Sequence, residues 1–182
     1  MEIERKFLIK DLPVDLDRYE RKEIIQGYLT TDPVLRIRKH GDDYVFTYKG
    51  RGLMVREEVN LPLTPEAFEK LLPKTEGALI KKTRYIIPLY TVMDGGSGIG
   101  AEAEPKAATE AGTETKAMAE TETEIKTGHR LVAELDIFTS PKELIMAEVE
   151  FPDEESARFF DPPSWFGEEV TNNPAYHNSN MI

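Results

Sequence analysis

Met1-Glu-Ile-Glu-Arg-Lys-Phe-Leu-Ile9 opens the chain, and its alternation decides how the rest is read. As a strand, it places Glu2, Glu4 and Lys6 on one face and Ile3, Arg5, Phe7 and Ile9 mainly on the other. Two carboxylates two residues apart on a strand have backbones roughly 6 to 7 Å apart. Their side chains can converge on one hard cation or bracket two, and without a cation they repel.

The same two-residue period continues along the chain. Strands are expected over residues 24–31, 34–39, 44–49, 53–61, 79–89, 130–138 and 144–151. His40-Gly41-Asp42-Asp43 reads as a hairpin turn. Thr64-Pro65-Glu66 places an N-cap, a proline at the first helical position and an acid in the first turn, so a short helix should run from Pro65 to Leu72. Asp153-Glu-Glu-Ser-Ala-Arg-Phe-Phe160 reads as a second capped helix. Eight strands with a few short helices, and no strand–helix alternation of βαβ length, predict a mainly β (α+β) fold: an eight-stranded closed antiparallel barrel with a few short flanking helices.

A chain of 182 residues suits a single domain spanning 1–182. Residues 94–128 differ from the rest: rich in Ala, Glu, Thr and Gly, without an aromatic residue, and with a net charge of −5. Such a stretch cannot bury enough apolar surface to offset its ordering entropy, so it is expected to be a flexible, acidic, low-complexity insertion that folding and chemistry can do without. The lack of cysteine excludes a disulfide framework, a thiolate nucleophile and a zinc–thiolate site. No apolar run approaches the ~20 residues of a membrane span, and nothing before the first strand reads as a signal peptide, so a cytoplasmic protein is expected. A net charge of −11 argues against a general nucleic-acid binder but leaves room for a locally basic pocket.

The charges that share strand faces form a pattern of their own. Glu2 with Glu4, Arg36 with Arg38, Lys82 with Arg84, Glu134 with Asp136, and Glu148 with Glu150 are same-sign pairs at i, i+2. Lys6 follows the first pair, Lys49 shares a face with Thr47, and Arg56 shares one with Glu58. A single pair of this kind is most simply the solvated face of an amphipathic strand. A surface selected for solubility would intersperse its signs, however, and five segregated pairs are repulsive unless something of opposite charge lies between them. If the strands close with these faces inward, they enclose a wet, charged lumen. There Lys6, Arg36, Arg38, Lys49, Arg56, Lys82 and Arg84 would clamp phosphates, and carboxylates would hold Mg²⁺ or Mn²⁺.

In their order along the chain, the Glu2-Ile-Glu4-Arg5-Lys6 start, Leu35-Arg36-Ile37-Arg38, Lys49, Arg56 with Glu58, Lys82-Thr-Arg84-Tyr85 and Glu148-Val-Glu150 resemble the motif set of the CYTH superfamily, the triphosphate tunnel metalloenzymes. The acidic insertion departs from that pattern. The resemblance implies an eight-stranded antiparallel tunnel that cleaves or cyclises triphosphates. The expected activity is metal-dependent hydrolysis of a small-molecule triphosphate, inorganic tripolyphosphate first. The alternatives are a thiamine triphosphatase, an adenylate cyclase of the same fold, or a polyphosphate- or nucleotide-binding protein without turnover. The expected roles are Glu2, Glu4 and Lys6 in catalysis, the seven bases in substrate binding, Glu2, Glu4, Asp136, Glu148 and Glu150 at the metal, and Glu58 and Glu134 in support. No nucleic acid or membrane is expected as partner; a homodimer is compatible with the reading.

The remaining polar and aromatic residues read as structural. His40, His129 and His177 lie in or beside turn-like segments and are expected at the surface. Trp165-Phe166 is expected as a plug under the barrel, and Tyr28, Tyr44 and Phe46 as packing. Asn178-Ser-Asn180 is a candidate cap for one end of the tunnel.

Overall fold

The computed structural model describes residues 2–13, 15–51, 55–93, 99–103 and 131–182. Strand β1 (Glu2–Ile9) leads through a 3-10 turn into the long β2 (Glu20–Thr31), then β3 (Val34–His40) and β4 (Asp43–Lys49). The β3–β4 connection has two residues, and Gly41 supplies the left-handed φ of 58° that so tight a turn needs. A two-residue β5 (Val55–Arg56) and β6 (Glu58–Pro62) precede helix α1 (Pro65–Leu71). Thr64 caps α1 by accepting a hydrogen bond from the Ala67 amide at 3.2 Å, as its sequence predicts. Strand β7 (Glu76–Met93) is the longest, followed by β8 (Ile99–Ala103), β9 (Val132–Ser140) and β10 (Leu144–Glu150). Helix α2 (Glu154–Phe159), capped by Asp153, leads to β11 (Phe160–Asp161) and β12 (Phe166–Glu169). Two 3-10 turns, Pro174–Tyr176 and Asn178–Asn180, end the chain.

The strands pair in the order β12-β1-β10-β9-β7-β2-β3-β4-β6, antiparallel throughout. This corrects the expected eight-stranded closed barrel. The described residues contribute twelve strands, and the paired path ends at β12 and β6 without closing. Among the described residues, β1 is tied to the segment before β6 by two residue pairs, Glu2 opposite Arg56 and Ile3 opposite Val55. The physical reason is that Glu57 interrupts the strand expected over 53–61, so β5 serves β1 while β6 serves β4. The expected insertion at 94–128 lies outside the described residues except for Ile99–Ala103. Those five residues form β8, antiparallel to β7 and parallel to β11.

One apolar cluster packs on the outer face of the β1-β10-β9-β7 wall. Ile3 and Phe7 of β1, Val149 of β10, Leu135 of β9 and Ile87 of β7 meet Ala157, Phe160 and Phe166 from the segment that follows β10. Trp165-Phe166 therefore belongs to this outer layer and is not a plug beneath the sheet. A second cluster, Tyr28, Ile80, Phe138, Met146 and Val170, is joined by Tyr176, Met181 and Ile182 from the C-terminal turns.

Arg5 staples the outer layer to β1. Its guanidinium pairs with both Glu169 oxygens at 2.9 and 2.6 Å and donates to the carbonyls of Ala157 and Phe160 at 2.8 and 3.1 Å. It also lies over the rings of Phe7 and Phe160. Replacing it strands two carbonyls and one carboxylate, with Glu169 open enough to water to recover part of the loss. Arg5→Met is expected to cost about 2–4 kcal/mol in urea unfolding, with activity per folded molecule retained because Arg5 faces away from the cavity.

Candidate active site

Alternation sends the even residues of β1, β2, β3, β7, β9 and β10, the odd residues of β4 and the even residues of β6 toward the concave side of the sheet, where a cavity of about 260 Å³ opens. Lys6 from β1, Arg36 and Arg38 from β3, Lys49 from β4, and Lys82 and Arg84 from β7 all reach it. So do the acids Glu4, Glu58, Glu134, Glu148 and Glu150. Among the described side chains, these eleven expected charges are brought together. The side chains of Glu2 and Arg56 lie outside the described residues, although their backbones pair across the short β1–β5 ladder.

On the β1-β10-β9-β7 wall the charges interlock, because the register sets bases beside acids. Lys6 is opposite Glu148 and pairs with it closely, and its ammonium is 3.0 Å from Glu4. Arg84 is opposite Asp136, donating from Nε at 2.7 Å and from Nη2 at 2.6 Å. The same Nη2 reaches Glu148 at 2.9 Å, while Nη1 pairs with Glu134. Lys82 pairs with Asp136 from one side and lies over the Phe138 ring.

Asp136 is one of the five carboxylates expected at the metal. It is fully buried, and both its oxygens accept from Arg84 and Lys82, so it anchors the bases from beneath the cavity. Glu150 is the opposite case: it sits across from Glu4 on the neighbouring strand and is exposed.

Protonation follows from these contacts. Burial opposes the Lys6 charge, but the Glu148 and Glu4 carboxylates outweigh it and raise its pKa. Burial likewise opposes ionisation of Glu148, yet Lys6, Lys82 and Arg84 together hold its carboxyl well below the usual range. Lys82 is the exception: burial and the neighbouring Arg84 lower it to about 8, against the pull of Asp136 and Glu148.

The β3-β4-β6 wall is different in kind. Arg36 donates from Nη2 to Thr47 at 3.1 Å, and Lys49 pairs with Glu58. The Nε–H groups of Arg36 and Arg38 are buried without an acceptor among the described residues. Burial, then the charges of Arg36 and Arg84, lower Arg38 to about 10. Buried donors of this kind cost ~1–3 kcal/mol each when left unmade, and they suit an incoming oxyanion.

The CYTH resemblance also implies a divalent cation, and the donor set tests it. Among the described residues no three Asp, Glu, His or Cys side chains gather closely enough to hold an ion by themselves. Of the five carboxylates expected at the metal, Glu2 has its side chain outside the described residues, and the other four form no such group by themselves. Glu4 directly opposite Glu150, with Glu148 one register step away on the same face, fits a hard cation whose remaining ligands are phosphate oxygens.

Several residues read as structural prove to line the cavity. Tyr28 is buried, accepts a hydrogen bond from Gln26 at 3.0 Å, and faces the bases. His177, expected at the surface, is 8% exposed and joins Asn178 and Ser179 in lining one side. The alternation of β2 placed Tyr28 on the Gln26 face and could have drawn attention to it. Nothing local marks His177, which arrives through the packing of the final turns. Among the described residues no helix is long and apolar enough to cross a membrane.

Comparison with known proteins places the chain in a family. The CYTH domain profile matches residues 1–131. An inorganic triphosphatase of Nitrosomonas europaea is 35% identical over 183 residues, covering 97% of this chain and 93% of that protein. A second protein of that name, from Acetivibrio thermocellus, is 46% identical over 50 residues, 27% of this chain and 31% of the relative. A crystal structure of an inorganic triphosphatase is similar at a TM-score of 0.57 and 32% identity, covering 100% of this chain and 93% of that one. Matched in sequence from β1 through β8, similar in fold over its whole length, and carrying its paired charges on one concave face, the chain belongs to the CYTH domain family.

Proposed function

We propose that this protein is a metal-dependent triphosphatase that hydrolyses a small-molecule triphosphate, inorganic tripolyphosphate first among them. The observation that carries the reading is the convergence of six bases from four strands on one small cavity, with the Nε–H groups of two arginines buried and without acceptors among the described residues. The two similar proteins named as inorganic triphosphatases support the same substrate.

Arg36, Arg38 and Lys49 on one wall, with Lys6, Lys82 and Arg84 on the other, bind and orient the phosphoryl groups. Positioning and charge stabilisation supply most of the rate in such a transfer. The interlocked acids fix the bases before substrate arrives, so little reorganisation accompanies reaction. Glu4, Glu148 and Glu150 would hold the divalent cation, which, when bound, neutralises phosphate oxygens. Glu4, 3.0 Å from the Lys6 ammonium, orients the attacking water and accepts its proton. The new bond forms between that water oxygen and the terminal phosphorus, the bridging P–O bond breaks, and pyrophosphate leaves against the basic wall. Asp136 and Glu134 act only through Arg84 and Lys82.

Two outcomes check this reading. Glu4→Gln, which keeps the shape and removes the charge, is expected to lower kcat for tripolyphosphate with Mg²⁺ by roughly 10²–10³-fold, the loss of ~2.7–4 kcal/mol of barrier stabilisation. Phosphate release at the wild-type rate would remove Glu4 from the mechanism, and no release by the wild type would remove the substrate assignment.

The second outcome is a pH dependence. Lys82 deprotonates near pH 8 in the free enzyme, so kcat/KM should fall as pH rises through that value while kcat, read on the loaded enzyme, falls less. Its folded-state pKa lies below the unfolded value, so from about pH 8 to 10.5 the unfolded chain binds more protons and this group's contribution to stability rises with pH. Lost activity there would reflect lost charge and not unfolding. The ratio of wild type to Lys82→Arg, in which the substrate's own titration cancels, should show the descending limb.

A further inference from the structure

The β3-β4-β6 wall carries a hydrogen-bonded chain that the charges alone do not explain. Arg36 Nη2 donates to Thr47 Oγ1 at 3.1 Å, Thr47 Oγ1 donates to Asn60 Oδ1 at 2.7 Å, and Asn60 Nδ2 donates to Glu58 Oε1 at 2.7 Å. Glu58 is in turn the ion-pair partner of Lys49. Every link but one joins register partners: Arg36 with Thr47, Thr47 with Asn60, and Lys49 with Glu58; Asn60 and Glu58 are two apart on β6.

Chemistry fixes the direction of each bond. A guanidinium can only donate, so Thr47 must present a lone pair to Arg36 and has its one proton left for the next partner. That partner must be the Asn60 oxygen. The Asn60 amide then faces Glu58, which as a carboxylate can only accept. The opposite amide orientation would set an oxygen against a carboxylate and leave the threonine proton unplaced. Thr47 is fully buried, which makes the chain costly to break, while Asn60 lines the cavity.

We propose that Thr47 and Asn60 are positioning residues, forming a neutral bridge that holds the Arg36 guanidinium at a set distance from the Glu58–Lys49 pair so that Arg36 and Lys49 meet one end of the triphosphate together. The bridge anchors Arg36 by one terminal nitrogen, beside the hydrogen bond between Arg36 and Tyr28 on the neighbouring strand, and leaves for the substrate a buried Nε–H with no acceptor among the described residues. It also separates Arg36 from Glu58, whose carboxylate would otherwise compete with phosphate for the same guanidinium. This inference rests on the triphosphate reading above and adds to it two uncharged residues and a reason for their chemistry.

The test is a double-mutant cycle read by turnover and by binding. Thr47→Val keeps the buried shape and removes both hydrogen bonds; it should lower kcat/KM for tripolyphosphate about tenfold or more, mainly through KM. Thr47→Ser, which keeps the hydroxyl, should stay within about threefold of wild type. In an Arg36→Ala background, Thr47→Val should cost no more than about a further twofold, because its partner is already gone. Asn60→Ala, at a cavity-lining site that tolerates truncation, is measured in the same way and carries the test if Thr47→Val does not fold. Calorimetry of tripolyphosphate in EDTA reads the clamp without turnover, so a wild type that binds without hydrolysing sinks the triphosphatase reading while the variants still score the bridge. Wild-type kinetics and affinity in folded Thr47→Val or Asn60→Ala would overturn the proposal. So would an equal cost with and without Arg36, or a wild type that does not bind tripolyphosphate at all.

Discussion

Glu148 is the carboxylate on which the rest of the cavity depends. Lys6 ends on one of its oxygens and Arg84 on the other, and Arg84 continues to Asp136, which also receives Lys82. Charges removed from water this far are tolerated only when each is paired and hydrogen-bonded. The network spans β1, β10, β9 and β7, so the register of three ladders has to be right for any of its charges to be satisfied. A one-residue slip in any of them would turn a charged face into the apolar outer layer.

That outer layer makes the arrangement affordable. The strands that present Lys6, Glu148 and Arg84 inward bury Phe7, Val149 and Tyr85 on their other face, against α2, β11 and β12. Hydrophobic burial on one side of the sheet offsets desolvation on the other. The concave side is not charged throughout, because Met146, Phe138 and Ile80 meet the C-terminal turns there. The charged cavity is thus one layer of a filled interior, and the final turns contribute His177, Asn178 and Ser179 to its lining.

The two walls differ in a way that bears on chemistry. The β1-β10-β9-β7 wall has more acids than bases and suits cations. The β3-β4-β6 wall holds its bases with fewer acids and keeps buried arginine donors without acceptors among the described residues, which suits phosphate. A metal–polyphosphate substrate presents both signs at once, and this polarity would fix which way it lies. Most acids of the first wall already hold Lys6, Lys82 and Arg84, as a receptor for polyanions would also need. The proposed metal-assisted reaction would give the exposed Glu150, opposite Glu4, a role that simple capture does not.

Much of this was legible in residue order because strand chemistry is local. Side chains two apart share a face wherever the backbone is extended, so Glu2 with Glu4, Arg36 with Arg38, and Glu148 with Glu150 declared themselves, as did the caps Thr64 and Asp153. The sign segregation of those pairs pointed to a charged concave face and to the family. What residue order could not decide was which pair meets which. Asp136 and Glu148 look alike in sequence, yet one is sealed beneath two bases and the other lines the cavity, a distinction set by the β7–β9 and β1–β10 registers. Closure of the sheet turned on where Glu57 breaks a strand, and His177 reached the cavity only through packing of distant turns. Thr47 and Asn60 are unremarkable until β4 and β6 align them. The chain by itself determined the faces and their charge; tertiary structure decided the partners, because register and burial are properties of strands brought together from far apart.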